Sequence, residues 1–185
     1  MQVLCLLQVQ ACQVGVHMMP EFTICGKSEV KKTVKRFEAT HLCTMLDVGD
    51  RVFRPYRIPA TNHLQLNFED EEDPTKWAAP TLSHAETILN WGQALPSDAR
   101  VVVHCFAGAC RSTAAGIALW LQANGTHRLQ EAGEWLVTDR PRACPNLLLA
   151  EHFDQLLNLN GELVKLCDQI GADSINRWWK LNNPD

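Results

Sequence analysis

Val101-Val102-Val103-His104-Cys105-Phe106-Ala107-Gly108-Ala109-Cys110-Arg111-Ser112-Thr113 runs three β-branched residues into a short loop that a cysteine opens and an arginine closes. The valines, preceded by Ala99-Arg100, predict a buried strand, and the Ala-, Leu- and Trp-rich stretch after Arg111 predicts a helix to about Ala123 with Asn124-Gly125 as its αL terminator. The loop therefore lies between a strand end and a helix start. Backbone N–H groups there lack intrahelical acceptors and the helix dipole adds partial positive charge, so a tetrahedral oxyanion is a natural guest. Gly108 and the small Ala107 and Ala109 let the backbone close around it, and Arg111 offers a planar fork of donors. The same surroundings act on Cys105, because a thiol ordinarily near ~8.5 falls to roughly 3.5–7.5 at a helix N-terminus beside a cation. The loop reads as an anion cradle with a nucleophile at its floor.

His104-Cys105, five residues, then Arg111-Ser112 resembles the signature of the cysteine-dependent protein tyrosine phosphatase superfamily. The resemblance implies that Cys105 attacks phosphorus to form a phosphocysteine, that Arg111 holds the equatorial oxygens, and that Ser112 steadies the departing thiolate. Phe106, Ala107, Gly108, Ala109 and Cys110 would line the phosphate site, with His104 shaping the loop and tuning the thiol rather than moving protons. The alternatives are a buried cysteine beside a helix-start arginine, or a sulfurtransferase loop. An isolated thiol leaves glycine, arginine and hydroxyl unexplained, and a sulfane-carrying loop needs no separate acid.

A leaving alkoxide or phenoxide needs a proton, so a carboxylic acid is expected on a separate segment. His63-Leu64-Gln65-Leu66-Asn67-Phe68 alternates as a half-buried strand does, and Glu69-Asp70-Glu71-Glu72-Asp73-Pro74 follows it directly. The segment resembles the family's acid loop, which often carries Asp, three residues, Pro; here that selects Asp70, 35 residues before Cys105, with Asp73 the alternative. An acidic pentad is otherwise a solvated loop tip. Crowding of its carboxylates is expected to raise the proton affinity of at least one. Pro145-Asn146 at the start of a late helix is similar to the dual-specificity branch, where the asparagine side chain buttresses the phosphate loop; Asn146 is the candidate, and an ordinary helix-start residue is the alternative.

With 185 residues and 46% hydrophobic content the chain supports one core. The net charge of −4 and the absence of a polybasic run argue against nucleic-acid or anionic-lipid surfaces. Eight cysteines contain no C-x-x-C pair, so no metal and no cofactor is expected. A free thiol nucleophile implies a reducing compartment and a cytoplasmic protein. Cys110 shares the loop with Cys105 and could trap its oxidised form as a disulfide, or be no more than a tolerated small side chain.

The remainder predicts an α/β fold, a central mostly parallel sheet of about four to five strands flanked by helices in one protein tyrosine phosphatase-like domain. Strands are expected at 22–25 and 40–46 and a helix at 28–37, with a capping box at Ser83-His84-Ala85-Glu86 and a helix opened by Thr126. Trp120 and Trp135 belong to apolar helix stripes, and helices at roughly 145–158 and 160–170 complete the chain. The boundaries are an N-terminal extension at 1–20, a catalytic domain at 21–171 and a polar tail at 172–185. The expected activity is hydrolysis of phosphotyrosine in proteins or peptides, extending to phosphoserine and phosphothreonine; the alternative is a phosphate-recognition module that has lost turnover.

Overall fold

A computed structural model describes residues 18–51 and 53–182. The expected extension at 1–20 lies outside them apart from Met18-Met19-Pro20. Four strands, β1 (Glu21–Gly26), β2 (His41–Leu46), β3 (His63–Asn67) and β4 (Arg100–Cys105), form a sheet in the order β1-β4-β2-β3. Every pairing is parallel, with Gly26 opposite Cys105, Thr44 opposite His104 and Leu46 opposite Asn67.

The two-residue period of β4 sorts its side chains between two apolar layers. Val101, Val103 and Cys105 face the larger core, built with the helices α2 (Leu82–Gln93), α3 (Arg111–Asn124), α4 (Leu129–Asp139), α5 (Leu147–Leu157) and α6 (Glu162–Asn182). Val102 faces the smaller core with Leu42, Ile58 and the buried Val30 and Val34 of α1 (Val30–Arg36). Because all four strands run the same way, their C-terminal ends share one rim. Gly26-Lys27, Asp47, Phe68 to Asp70 and the loop after Cys105 meet there, the usual place for a ligand in a parallel sheet.

Several boundaries differ from the sequence reading. The helix expected from Ser28 begins as a 3₁₀ turn, Lys27–Glu29, before α1. The α2 cap is Thr81, whose hydroxyl accepts from His84 N–H at 3.4 Å, so the capping box lies two residues before the expected one. α4 starts at Leu129 behind Arg128, and Thr126 lies in the turn preceding it. Gly125 has φ +112° and ψ 129°, a positive φ outside the αL well. The last helix runs on to Asn182 through Gly171, whose Cα hydrogen faces Cys144: a Cβ there would stand 3.4 Å from that sulfur. One glycine costs about 1 kcal/mol relative to alanine but does not stop a helix whose Leu163, Cys167 and Ile170 are buried. Trp120 and Trp135 stack at 6.2 Å on the edge of the larger core.

Candidate active site

Every carbonyl from Cys105 to Cys110 is engaged from outside the loop. Cys105 O accepts from His104 Nδ1–H (3.2 Å), Phe106 O from Lys27 N–H (2.9 Å), and Ala107 O and Gly108 O from the Arg140 guanidinium (3.2 and 2.9 Å). Ala109 O accepts from Cys144 N–H (2.9 Å), and Cys110 O from Ala114 N–H (3.1 Å) and Asn146 N–H (3.3 Å). The peptides of the described residues are all trans, so a carbonyl drawn outward turns the following N–H inward. Gly108 N–H demonstrates the inference, because it donates to Cys105 Sγ at 3.2 Å. The N–H groups of Ala107, Ala109 and Cys110 find no acceptor in the described part of the protein. α3 also begins without a side-chain cap. The result is a ring of converging donors over one sulfur.

Gly108 makes this ring possible. Its φ of +73° favours glycine, and a Cβ would fall 2.5 Å from both Arg140 Nη2 and the Cys25 carbonyl carbon. Ser112 Oγ is 3.2 Å from Cys105 Sγ on the helix side. His104 is fully buried, and that burial pushes its imidazole down to about 4, so it is neutral near pH 7. With its proton on Nδ1, its Nε2 accepts from Thr44 Oγ–H (2.7 Å), and Thr44 Oγ must then accept from His63 Nε2–H (2.8 Å). His104 thus fixes the strand end and makes no hydrogen bond to the sulfur.

Arg111 is 2% exposed and paired to several groups. Nη1 donates to Phe68 O (2.6 Å) and forms an ion pair with Asp47 Oδ1 (2.7 Å), while Nε lies 3.8 Å from Asp70 Oδ2 and has no hydrogen-bond acceptor. A buried guanidinium N–H without an acceptor costs free energy, which an oxyanion bound within its reach would recover. Among the acidic pentad, Asp70 is the member that reaches Arg111. Glu69 accepts from Val48 N–H, Glu71 from Glu72 and Asp73 N–H, and Glu72 from Leu147 N–H. Asp73 accepts from Thr75 hydroxyl and N–H, which hold its carboxyl below the usual range. The carboxylates therefore disperse onto separate donors instead of crowding.

Asn146 corrects the sequence reading. Its Oδ1 caps α5 by accepting from Leu149 N–H (2.8 Å), and its Nδ2 donates to Asp70 Oδ1 and Glu71 O, both at 3.1 Å. The side chain therefore buttresses the acidic segment after β3, and only the backbone N–H reaches the loop after Cys105. Cys110 has its thiol pushed above the usual range by burial and then by the Asp70 charge.

No protein-family model matches the chain, and no curated protein is similar to it in sequence. Solved structures are similar to it. The Yvh1 phosphatase domain from Chaetomium thermophilum superposes with a TM-score of 0.57 at 23% identity, covering 77% of this chain and 93% of that one. Human DUSP28 gives 0.56 at 19% identity, covering 75% and 92%. The human tyrosine phosphatase-like serine/threonine/tyrosine-interacting protein gives 0.53 at 17%, covering 74% and 87%. The fold is that of the dual-specificity phosphatases.

On this dual-specificity phosphatase fold, sequence reasoning missed Asp47, Arg140, Glu29 and Thr44. Asp47 was legible in principle, since the residue after a parallel strand sits on the same rim as Cys105. Arg140 was not, because its contacts span 32 residues to Gly108 and 111 to Glu29. Glu29 accepts from both Arg140 Nη2 and Gly26 N–H at 2.7 Å, and these bonds, the guanidinium's first, hold its carboxyl below the usual range.

Proposed function

We propose that the chain is a cysteine-dependent phosphomonoesterase that hydrolyses phosphotyrosine in proteins or peptides, and phosphoserine and phosphothreonine as well, in the reducing cytoplasm. The observation that carries this reading is Arg111 Nε, which lies 3.8 Å from Asp70 without a hydrogen-bond acceptor, at the start of the helix that follows the loop over Cys105, whose sulfur Gly108 N–H and Ser112 Oγ already address. In the first step the Cys105 sulfur forms a bond to phosphorus while the ester P–O bond breaks, and the Asp70 carboxylic acid gives its proton to the leaving oxygen. In the second, water attacks phosphorus, Asp70 takes the water proton, and the P–S bond breaks with Ser112 Oγ–H donating to the departing sulfur. The inward N–H groups and Arg111 stabilise the equatorial oxygens throughout, an electrostatic contribution made without reorganisation. The alternative of a phosphate-recognition module without turnover is favoured only where no carboxylate reaches the arginine, and Asp70 lies within 3.8 Å of it.

The test is hydrolysis of aryl phosphates by the wild type, Cys105→Ser and Asp70→Asn. Cys105→Ser should abolish turnover while retaining vanadate binding, and acid-quenched wild type should carry phosphate on Cys105. Asp70→Asn should slow esters with poor leaving groups by roughly 10²–10⁴ and good ones far less. Appreciable hydrolysis by Cys105→Ser would refute the thiol mechanism, and equal slowing of both esters would remove Asp70 as the acid.

A further inference from the structure

We infer that the groove between α1 and the segment after β2 binds the residues flanking the phosphorylated side chain, and that its occupant is an acidic stretch of substrate polypeptide carrying one large apolar residue. The inference rests on the reading of the chain as a protein phosphatase and adds a substrate class to it. The groove has a volume of about 550 Å³. Its floor is apolar, from the buried Val30 and Val34 and from Pro55. Phe53 and Tyr56 stand on its edge with 91% of each exposed, far more than side chains of that size usually leave to water.

Its rim is cationic. Lys31 and Lys35, four residues apart on one face of α1, share it with Lys27 and Arg57. Lys27 is tied to Asp50 at 2.8 Å, whereas Lys31, Lys35 and Arg57 have neither an ion pair nor a hydrogen bond in the described protein. Arg100, Arg128, Arg140 and Lys165 all have carboxylate partners. A cluster of unpaired cations on a chain of net charge −4 marks a surface complementary to an acidic guest.

The groove opens at the catalytic rim. Lys27 follows Gly26, which pairs with Cys105; its N–H holds Phe106 O, and its Nζ lies 5.7 Å from the Phe106 ring centroid. From Lys27 to Lys35 the helical rise is about 12 Å, the length of roughly four residues of extended peptide. The acidic side chains should therefore lie within about four positions of the phosphorylated residue. A row of cations beside an apolar floor suits a polypeptide better than a multiply phosphorylated headgroup, which would call for cations within the loop itself, and Phe106 to Cys110 contains none.

The test compares two phosphotyrosine peptides, one with Asp, Glu and Leu within four positions of the phosphotyrosine and one with Ser in their place. Wild type at low salt should show a KM roughly tenfold lower for the acidic peptide, a difference that shrinks at high salt. Lys31→Glu/Lys35→Glu should erase the preference through KM, leaving kcat and hydrolysis of a small aryl phosphate unchanged. Equal KM values in the wild type, or a preference that survives the charge reversal, would overturn the inference. Binding to phosphatidylserine vesicles that the reversal abolishes, with the peptide preference intact, would overturn it in favour of a membrane surface. If the wild type fails to hydrolyse the aryl phosphate, the catalytic reading alone falls. The groove is then decided by the Kd of Cys105→Ser for fluorescent forms of the two peptides: a difference erased by the reversal supports it, and equal values refute it.

Discussion

Replacing Asn146 separates two jobs that one side chain performs. Asn146 is 1% exposed; its Oδ1 caps α5 at Leu149 N–H, and its Nδ2 holds Asp70 Oδ1 and Glu71 O on the acid loop. Asn146→Ala removes all three bonds. Loss of an N-cap costs about 1 kcal/mol, and each of the two loop bonds about 0.5–1.5 kcal/mol, less for the half-exposed Asp70, which water can resatisfy. The predicted loss is roughly 2–3 kcal/mol, or about 5–10 °C in Tm for a chain of this size. Asn146→Asp keeps an acceptor for Leu149 N–H but loses the donor, and it sets a second carboxylate against Asp70. It should recover most of the capping contribution while leaving the acid loop unanchored.

The kinetic signature follows from which loop is held. If the side chain positions Asp70, both variants should slow esters with poor leaving groups by about tenfold or more, within the 10²–10⁴ available to a general acid, and barely affect good leaving groups. Thermal melts and parallel kcat/KM measurements on the two ester classes, with both variants folded at the assay temperature, supply the readout. Equal slowing of both ester classes would refute the reasoning. It would mean that Asn146 acts through its backbone bond to Cys110 O and the phosphate loop.

Arg140→Met should release the Ala107 and Gly108 carbonyls and weaken oxyanion inhibition several-fold, with kcat/KM falling for good and poor leaving groups alike; an unchanged vanadate Ki would show that the loop holds its shape without Arg140. His104 has a folded value near 4 against about 6.5 unfolded, so the unfolded state takes up the proton first as pH falls. Stability should be level above about 6.5 and decline between 6.5 and 4 by about 3 kcal/mol, and urea midpoints in that window should flatten in His104→Asn; an equal slope in that variant would assign the loss to other groups. Asp154 is 6% exposed and accepts from Gly161 and Leu163 N–H at 2.6 and 2.8 Å; Asp154→Ala strands both donors and should cost about 2–4 kcal/mol, read by chemical denaturation.

The strands and the strand-loop-helix unit around Cys105 were legible because their signals are local. Three consecutive valines can only be a buried strand here, and the cysteine, glycine and arginine are spaced by the loop itself. The choice of Asp70 over Asp73 rested on Pro74, which follows Asp70 after three intervening residues, and the structure places the same residue 3.8 Å from Arg111, held by Asn146, 76 positions away. What could not be read was how the loop is held. Its outward carbonyls are met by Lys27, Arg140, Cys144 and Asn146, whose relevance depends on the fold bringing three separate segments together. The α6 extension was missed for another reason. Composition after Gly171 is polar on most positions, and a helix whose Ala172, Asp173, Ile175, Asn176 and Trp179 are exposed has the composition of a tail.

The charges around Arg111 bear on whether the cradle turns substrate over or merely holds it. Asp47 lies 2.7 Å from Nη1 and Asp70 3.8 Å from Nε. An oxyanion accepting from Nε would have an oxygen within about 7 Å of the Asp70 carboxylate, the sum of that distance and a hydrogen bond. At an effective dielectric near 20 each pair of unit charges at that range repels by about 2 kcal/mol. A module selected only to retain phosphate gains nothing from two carboxylates placed against its arginine. An esterase gains from both. The repulsion vanishes on the Asp70 side when that residue carries the proton the leaving oxygen requires, and returns once the proton has been delivered and inorganic phosphate must leave. Neutralising Asp70 should therefore tighten product phosphate while slowing the chemistry of poor leaving groups, and a variant Asp70→Asn that binds phosphate no better than the wild type would show that this carboxylate does not face the bound anion.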